Sequence, residues 1–329
     1  MVDGPYIFWE SEEDYIELNF HYDGSEFVLN KAHKNLDEHP EIEIEFNKQK
    51  VKIPLRKKFA PPNSHYQKAE KIIAFGDIHG EFDKLVQLLI AHQIIDEQFN
   101  WTFARGHLVF CGDIFDRGKQ VTECLWLIYH LEQQAASFGG CVHYLLGNHE
   151  IMSLTGDLRY LQQKYKLITA SALLEYKDLF NRESELGRWL RNRNMVVTIN
   201  DLLFVHAGLA PSIKQNIENL NHLIRAYLNG DDQHFYFIND PYSPIWYRGY
   251  MYAWQGTAKV SQNEMENILQ HYGIKKIIFA HTEVDRITPL YQQSAIAIDV
   301  PFKKHAQALL IKDNEFYQLD EMGRQQKLF

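Results

Sequence analysis

The chain has 329 residues, 45% of them hydrophobic, and a formal net charge of −9. That is enough apolar material for one large α/β domain or two smaller ones, and an acidic balance argues against nucleic acid as an obligate partner, which needs a basic surface. No apolar run reaches the roughly 20 residues of a membrane span, and three cysteines, Cys111, Cys124 and Cys141, are an odd number without zinc-site spacing, so they read as buried free thiols.

Met1 to Glu10 has no basic stretch followed by an apolar core, so no signal peptide is visible. Cytoplasm is the default location, with periplasm or secretion the alternative if a leader once preceded Met1. Residues 1–60 read as short strands. Ile16, Leu18, Phe20 and Tyr22 alternate with polar residues, as do Ile42, Ile44 and Phe46, the period of a half-buried strand. Asp23-Gly24 supplies a hairpin turn ahead of Phe27–Leu29. Pro61-Pro62-Asn63-Ser64 breaks the chain, which divides a β-rich extension, 1–64, from a main domain, 65–329.

From residue 70 short apolar strands alternate with helical patterns. Lys71–Phe75, Leu108–Cys111 and Val142–Leu146 are buried strands; Leu85, Leu88, Leu89 and Ile95 recur at helical spacing, and Val121 to about Gln134 reads as a helix. Such alternation implies a sheet covered by helices. Residues 158–193 form a long helical stretch with apolar, largely aromatic character from Tyr160, Leu161, Tyr165, Tyr176 and Phe180. It serves either core packing or a cap over a site. Leu202–Val205, Ile277–Ala280 and Ala295–Ile298 are further strands.

Five of these strands end in polar residues: Gly76-Asp77-Ile78-His79-Gly80, Gly112-Asp113-Ile114-Phe115-Asp116-Arg117-Gly118, Gly147-Asn148-His149-Glu150, His206-Ala207-Gly208 and His281-Thr282-Glu283. Ligands of open α/β sheets bind at the carboxyl ends of strands. Any one of these segments is unremarkable as a turn, with Asn148 tolerating left-handed geometry. Five at equivalent strand ends point to one site. Carboxylate, imidazole and amide oxygen suit divalent cations such as Mn, Fe, Zn or Mg, without thiolate. Two such cations about 3.5–4 Å apart stabilise the attacking and leaving oxygens of an in-line phosphoryl displacement.

These motifs, with the two later histidines, resemble the calcineurin-like metallophosphoesterases. The Asp-Arg-Gly and Asn-His-Glu segments narrow this to the phosphoprotein phosphatase family, and the chain is similar to its Shewanella-type bacterial branch, the group of the cold-active protein-tyrosine phosphatase. The resemblance spans about residues 70–300. It implies a four-layer α/β/β/α sandwich, here with the small N-terminal β extension and the helical insert, 158–193. It also implies two divalent metal ions: Asp77 and His79 on the first, Asn148, His206 and His281 on the second, and Asp113 bridging.

The same resemblance makes His149 the general acid, with Asp116 its orienting partner. Arg117 and Arg248, with Asn148, bind substrate phosphate. A hydroxide between the cations attacks phosphorus directly, and a neighbouring Asp116 is expected to raise the pKa of His149. The implied activity is hydrolysis of phosphorylated protein side chains, phosphotyrosine first. The alternatives are diadenosine tetraphosphate hydrolysis and serine/threonine protein phosphatase activity. The partner is then a phosphorylated protein or small phosphoester, with no membrane or nucleic acid. One departure weighs against a eukaryote-like serine/threonine groove: where eukaryotic members carry a Ser-Ala-Pro-Asn segment and a tyrosine, this chain reads Ala297-Ile298-Asp299-Val300-Pro301-Phe302.

Overall fold

A computed structural model describes residues 2–329; the reading of Met1 falls outside them. Two six-stranded sheets lie at its centre. In the first, the order is Gln325–Lys327, Glu315–Asp320, Gln307–Lys312, Lys71–Phe75, His107–Phe110, Cys141–Tyr144; in the second it is Thr288–Leu290, Ala295–Ala297, Lys276–Phe279, Leu202–Val205, Val196–Ile199, His65–Tyr66. Their facing sides share a core of Ile72, Ala74, Val109 and Cys111 from one sheet and Val197, Ile199, Phe204 and Ile278 from the other. The opposite faces, with Ile73, Phe75, Leu108 and Phe110, pack in a second core with helical residues such as Leu85, Leu88, Leu125 and Ile128. Lys71–Phe75 is apolar without a break because successive side chains enter different cores. This is the expected layered α/β architecture, with the two central sheets that a four-layer α/β/β/α sandwich requires.

The strands that carry polar ends are parallel and flush. Phe75 pairs with Phe110 and Phe110 with Tyr144 in the first sheet, and Val205 pairs with Phe279 in the second. Each chain therefore leaves its sheet at the same level, and the two sets of ends face one another.

The N-terminal residues form a three-stranded antiparallel sheet, Val2–Trp9, Asp14–Tyr22 and Phe27–Asn35, and a hairpin, Glu41–Phe46 with Gln49–Pro54. Ile42, Ile44 and Phe46 are buried and alternate with exposed residues, as their spacing predicts. Tyr22, expected on a half-buried face, is exposed at the end of its strand. Side chains of this extension, including Tyr6, Phe20 and Phe46, lie in the same core as the main-domain helices. The helix Val121–Ser137 is buried nearly all round along its first eleven residues, as its apolar surface requires. The extension covers one side of it: Trp126 Nε1 donates to Pro5 O at 2.9 Å and Thr122 Oγ1 to Asp3 Oδ1 at 3.0 Å.

Residues 158–193 are not one continuous helical stretch. They form Gln163–Ala172, a 3-10 turn Tyr176–Phe180, and Glu185–Leu190. Leu173, at φ +54° and exposed, ends the first piece, and Ser184 Oγ caps the last by accepting from Gly187 N at 3.0 Å. Tyr165, Tyr176 and Phe180 are fully buried. Cys111 and Cys124 are buried free thiols, whereas Cys141 is half-buried. No helix among the described residues is long and apolar enough to cross a membrane.

Candidate active site

The five flush strand ends bring Asp77, His79, Asp113, Asn148, His206 and His281 together, all buried. Asp113 is at the centre. Its Oδ2 lies 4.0 Å from His79 Nε2, 3.8 Å from His149 Nε2 and 3.4 Å from His206 Nε2. Asp77 Oδ2 is 3.8 Å from His79 Nε2. His206 Nε2 is 2.9 Å from Asn148 Oδ1 and 3.2 Å from His281 Nδ1. Two groups of potential ligand atoms result, His79 with Asp113 and His149, and Asp113 with His206 and His281, and Asp113 belongs to both.

The protonation of these groups fits a cation. Burial holds His79 down at about 3 and, with neighbouring cationic groups, drives His281 well below the usual imidazole value; burial lowers His206 too. Neutral imidazole is the ligating form. Burial, then Asp77 and Glu150, push Asp113 up, a crowding of negative charge that a divalent ion relieves. His79 Nδ1 and His206 Nδ1 face the Phe115 and Cys111 carbonyls, each at 2.7 Å. Donation there turns each Nε2 lone pair toward the site, as outer partners of ligating histidines do. His79 Nε2 is buried without a hydrogen-bond partner, a state that costs free energy unless something binds there.

The backbone is strained at these positions. His79, Asp113, Asp116, Arg117 and His281 have φ of +49°, +54°, +69°, +62° and +65°, a region non-glycine residues seldom adopt. Asn148, read from sequence as tolerant of such geometry, instead opens the helix Asn148–Thr155. Glu150 holds the strained loop in place. Its Oε2 accepts from Asp113 N at 2.8 Å and Gly147 N at 2.7 Å, and its Oε1 from Ile114 N at 2.7 Å and Tyr144 Oη at 2.9 Å. Gly147 must lack a side chain, because a Cβ there would sit 2.3 Å from Asp113 Oδ1.

His149 Nδ1 is 2.7 Å from Asp116 Oδ2, so the sequence-predicted pair is in contact and Nε2 faces Asp113. The expected effect on protonation is reversed. Burial, then Arg117, lowers His149 to about 4, and burial raises Asp116 to about 7. Desolvation outweighs the attraction between the pair, and both members favour their neutral forms.

Two cavities open on this cluster. One of about 390 Å³ is lined by Asn148, His149, Met152, Tyr160, Trp246 and Trp254 among others. The other, of about 350 Å³, is lined by His79, Glu81, Glu283, Asp299 and Phe302 among others. Asp77, Arg117, Arg248 and His281 line both. Arg248 Nη1 donates to His281 O at 2.9 Å and Thr282 Oγ1 at 3.3 Å. Arg117 N donates to Tyr160 O at 3.1 Å.

Three residues here carried no role in the sequence reading. Glu150 was part of a motif only; the signal was its place three residues after Gly147, the spacing of a helix-capping glutamate. Tyr160 counted only as an aromatic of the helical stretch. Asp299 is buried at the second cavity, pushed up by burial, Asp77 and Glu283; nothing local in its segment marks it.

A hydrolytic phosphoester site accounts for this arrangement, and the chain belongs to the calcineurin-like phosphoesterase family, whose model matches residues 70–285. It is a phosphatase of that family, built on the same fold as solved members. The crystal structure of a cold-active protein-tyrosine phosphatase from a psychrophilic Shewanella species superposes with a TM-score of 0.87 at 31% identity, covering 100% of both chains. Shewanella-like protein phosphatase 2 of Arabidopsis thaliana is 27% identical over 293 residues, 73% of each chain. A symmetrical bis(5′-nucleosyl)-tetraphosphatase of Xylella fastidiosa is 30% identical over 164 residues, 49% of this chain and 50% of its own.

Proposed function

We propose that this phosphatase is a two-metal phosphomonoesterase of phosphorylated protein side chains, with phosphotyrosine its preferred substrate. The observation that carries this reading is the membership of Asp113 in both ligand groups, with the His149–Asp116 pair and two arginines opening on the same cavity. Asp77 and His79 would hold one cation, Asn148, His206 and His281 the other, and Asp113 both. Bound there, the cations would supply a nucleophile from water at neutral pH and neutralise charge building on the phosphoryl oxygens.

The remaining work belongs to the protein's own residues. Arg117 and Arg248 present planar forks to the phosphate oxygens from the wall common to both cavities. With Asp116 protonated and donating to Nδ1, the neutral His149 ring carries its proton on Nε2; it gives that proton to the departing side-chain oxygen and takes the Asp116 proton at Nδ1. The preference for phosphotyrosine is supported by overall similarity to the Shewanella phosphatase, whose likeness extends over the extension and insert. Similarity to the tetraphosphatase covers half the chain.

The test compares a phosphotyrosyl peptide, the matching phosphoseryl peptide and a dinucleoside polyphosphate under one metal condition, alongside elemental analysis of the purified protein. The expected result is highest kcat/KM on the phosphotyrosyl peptide and about two equivalents of metal. Highest efficiency on the dinucleotide, or a single equivalent in the fully active protein, overturns the reading.

A further inference from the structure

The proton donor divides the two cavities by function. His149 lines the larger one and not the smaller. A departing oxygen must lie within hydrogen-bond reach of its acid, so the leaving group occupies the larger cavity. The residues that line both, Arg117 and Arg248 among them, mark the junction where the phosphoryl group sits.

The walls of the leaving-group cavity are aromatic where they approach these residues. The Tyr160 ring lies 5.1 Å from the His149 imidazole, at 54°, and 5.7 Å from Arg117 Cζ. Trp254 lies 5.9 Å from Arg248 Cζ. Each arginine thus has one large ring beside it. Tyr160 is 48% exposed and Trp254 44% exposed, unlike Tyr165 and Tyr176, which are fully buried in the core. Core packing therefore does not explain these two rings, and both present apolar surface to the cavity. A benzene ring attached directly to the departing oxygen reaches such surface and gains offset or edge-to-face contacts. A serine leaves only a methylene beside the acid, with the flexible backbone beyond it.

We propose that Tyr160 and Trp254 determine substrate selectivity by gripping the aromatic ring of a phosphotyrosyl side chain while His149 protonates its oxygen. This rests on, and deepens, the proposed phosphomonoesterase function. Neither ring touches the reacting atoms; they position the leaving group.

The experiment measures kcat/KM of the metal-loaded enzyme on paired phosphotyrosyl and phosphoseryl peptides of one sequence, for wild type, Tyr160→Ala, Tyr160→Phe, Trp254→Ala and Tyr236→Ala. Tyr236 is 84% exposed and lines neither cavity, which makes it the control. The tyrosyl-to-seryl ratio is expected to fall about 10-fold in each of the Tyr160→Ala and Trp254→Ala variants, the scale of a lost aromatic pair with its buried area. It should hold in Tyr160→Phe, which keeps the ring, and in Tyr236→Ala. Equal losses on both peptides would reduce the two rings to structural supports and overturn the proposal, while the wild-type preference stood. A wild type that already favours the phosphoseryl peptide overturns the phosphotyrosine reading itself, and the proposal with it.

Discussion

Glu150→Gln replaces one oxygen by nitrogen and leaves the volume almost unchanged, yet the structure assigns it a large effect. Glu150 is fully buried, and both of its oxygens face donors: Asp113 N and Gly147 N at Oε2, Ile114 N and Tyr144 Oη at Oε1. Whichever way the new amide flips, its NH2 meets at least one backbone N–H that needs an acceptor. With nitrogen at the Oε2 position, both Asp113 N and Gly147 N are orphaned. Each buried unsatisfied donor costs about 1–3 kcal/mol, so a loss of about 2–6 kcal/mol is expected. At roughly 2 °C per kcal/mol for a chain of this size, the melting temperature should fall by about 4–12 °C. Asp113 should also shift, because its φ of +54° is held by the same carboxylate. Misplacing a support of a metal ligand typically costs 10–100-fold in metal affinity or activity. Calorimetry and metal titration read both effects. Tyr144→Phe is the contrast: it removes one hydroxyl donor and leaves every backbone N–H satisfied, for a cost of about 1 kcal/mol. A Glu150→Gln protein within about 1 kcal/mol of wild type, with full metal affinity, would refute the positioning role.

His149→Asn should lower kcat on a peptide substrate by roughly 100-fold or more, the scale of a positioned acid. The loss should shrink on an aryl phosphate with an electron-withdrawing ring, which departs without a proton; an equal loss on both substrates counts against proton donation. Glu123 offers a pH signature away from the site. Burial, then Asp3, lift its carboxyl from 4.5 to about 7 in the folded chain. The folded state then holds a proton that the unfolded state has released, so this residue's contribution to stability is lost as pH rises from about 4.5 through 7. Glu123→Gln should flatten that part of the stability profile and gain on wild type above pH 7, measured by urea unfolding. A stability difference independent of pH between wild type and variant would contradict the shifted titration.

The convergence of Asp77, His79, Asp113, Asn148, His206 and His281 was legible in the sequence because these residues follow closely on strands buried on both faces. Such strands show up as unbroken apolar runs, and Asp, Asn or His immediately after them stands out. The strands Gln307–Lys312 and Glu315–Asp320 escaped notice, although the turn between them, Asp313 and Asn314 at φ +55° and +60°, is a two-residue hairpin signal. Val196–Ile199 was missed beside its hairpin partner Leu202–Val205 because it follows without a break from the helical stretch. Glu150 and Asp299 illustrate what local patterns do not hold. Glu150 bonds to a loop 36 and 37 residues earlier in the chain, and the approach of Asp299 to Asp77 requires the two sheets to be assembled. Tyr160 and Tyr165 look alike in sequence. One precedes the start of a helix and faces the site, while the other, inside it, is core.

The segments proposed to choose a substrate and to bind phosphate are physically joined. Arg117, the proposed phosphate clamp, donates its backbone N–H to Tyr160 O. Two residues on, Lys119 O accepts from Lys164 Nζ at 2.7 Å and from Tyr165 Oη at 3.1 Å, both on the helix that follows Tyr160. Lys164 is itself ion-paired with Asp3, which is fully buried and also accepts from Tyr6 Oη at 2.5 Å. A chain of buried polar contacts therefore runs from the first strand, through the insert, to the loop that carries Arg117. Breaking a buried ion pair on one side leaves an uncompensated charge and costs several kcal/mol, so this path resists independent movement of its parts. The N-terminal extension and the insert thus hold the Arg117 loop in register with Tyr160. A change in either should alter selectivity and turnover together, whereas the proposed metal ligands, fixed by flush strand ends, should stay in place.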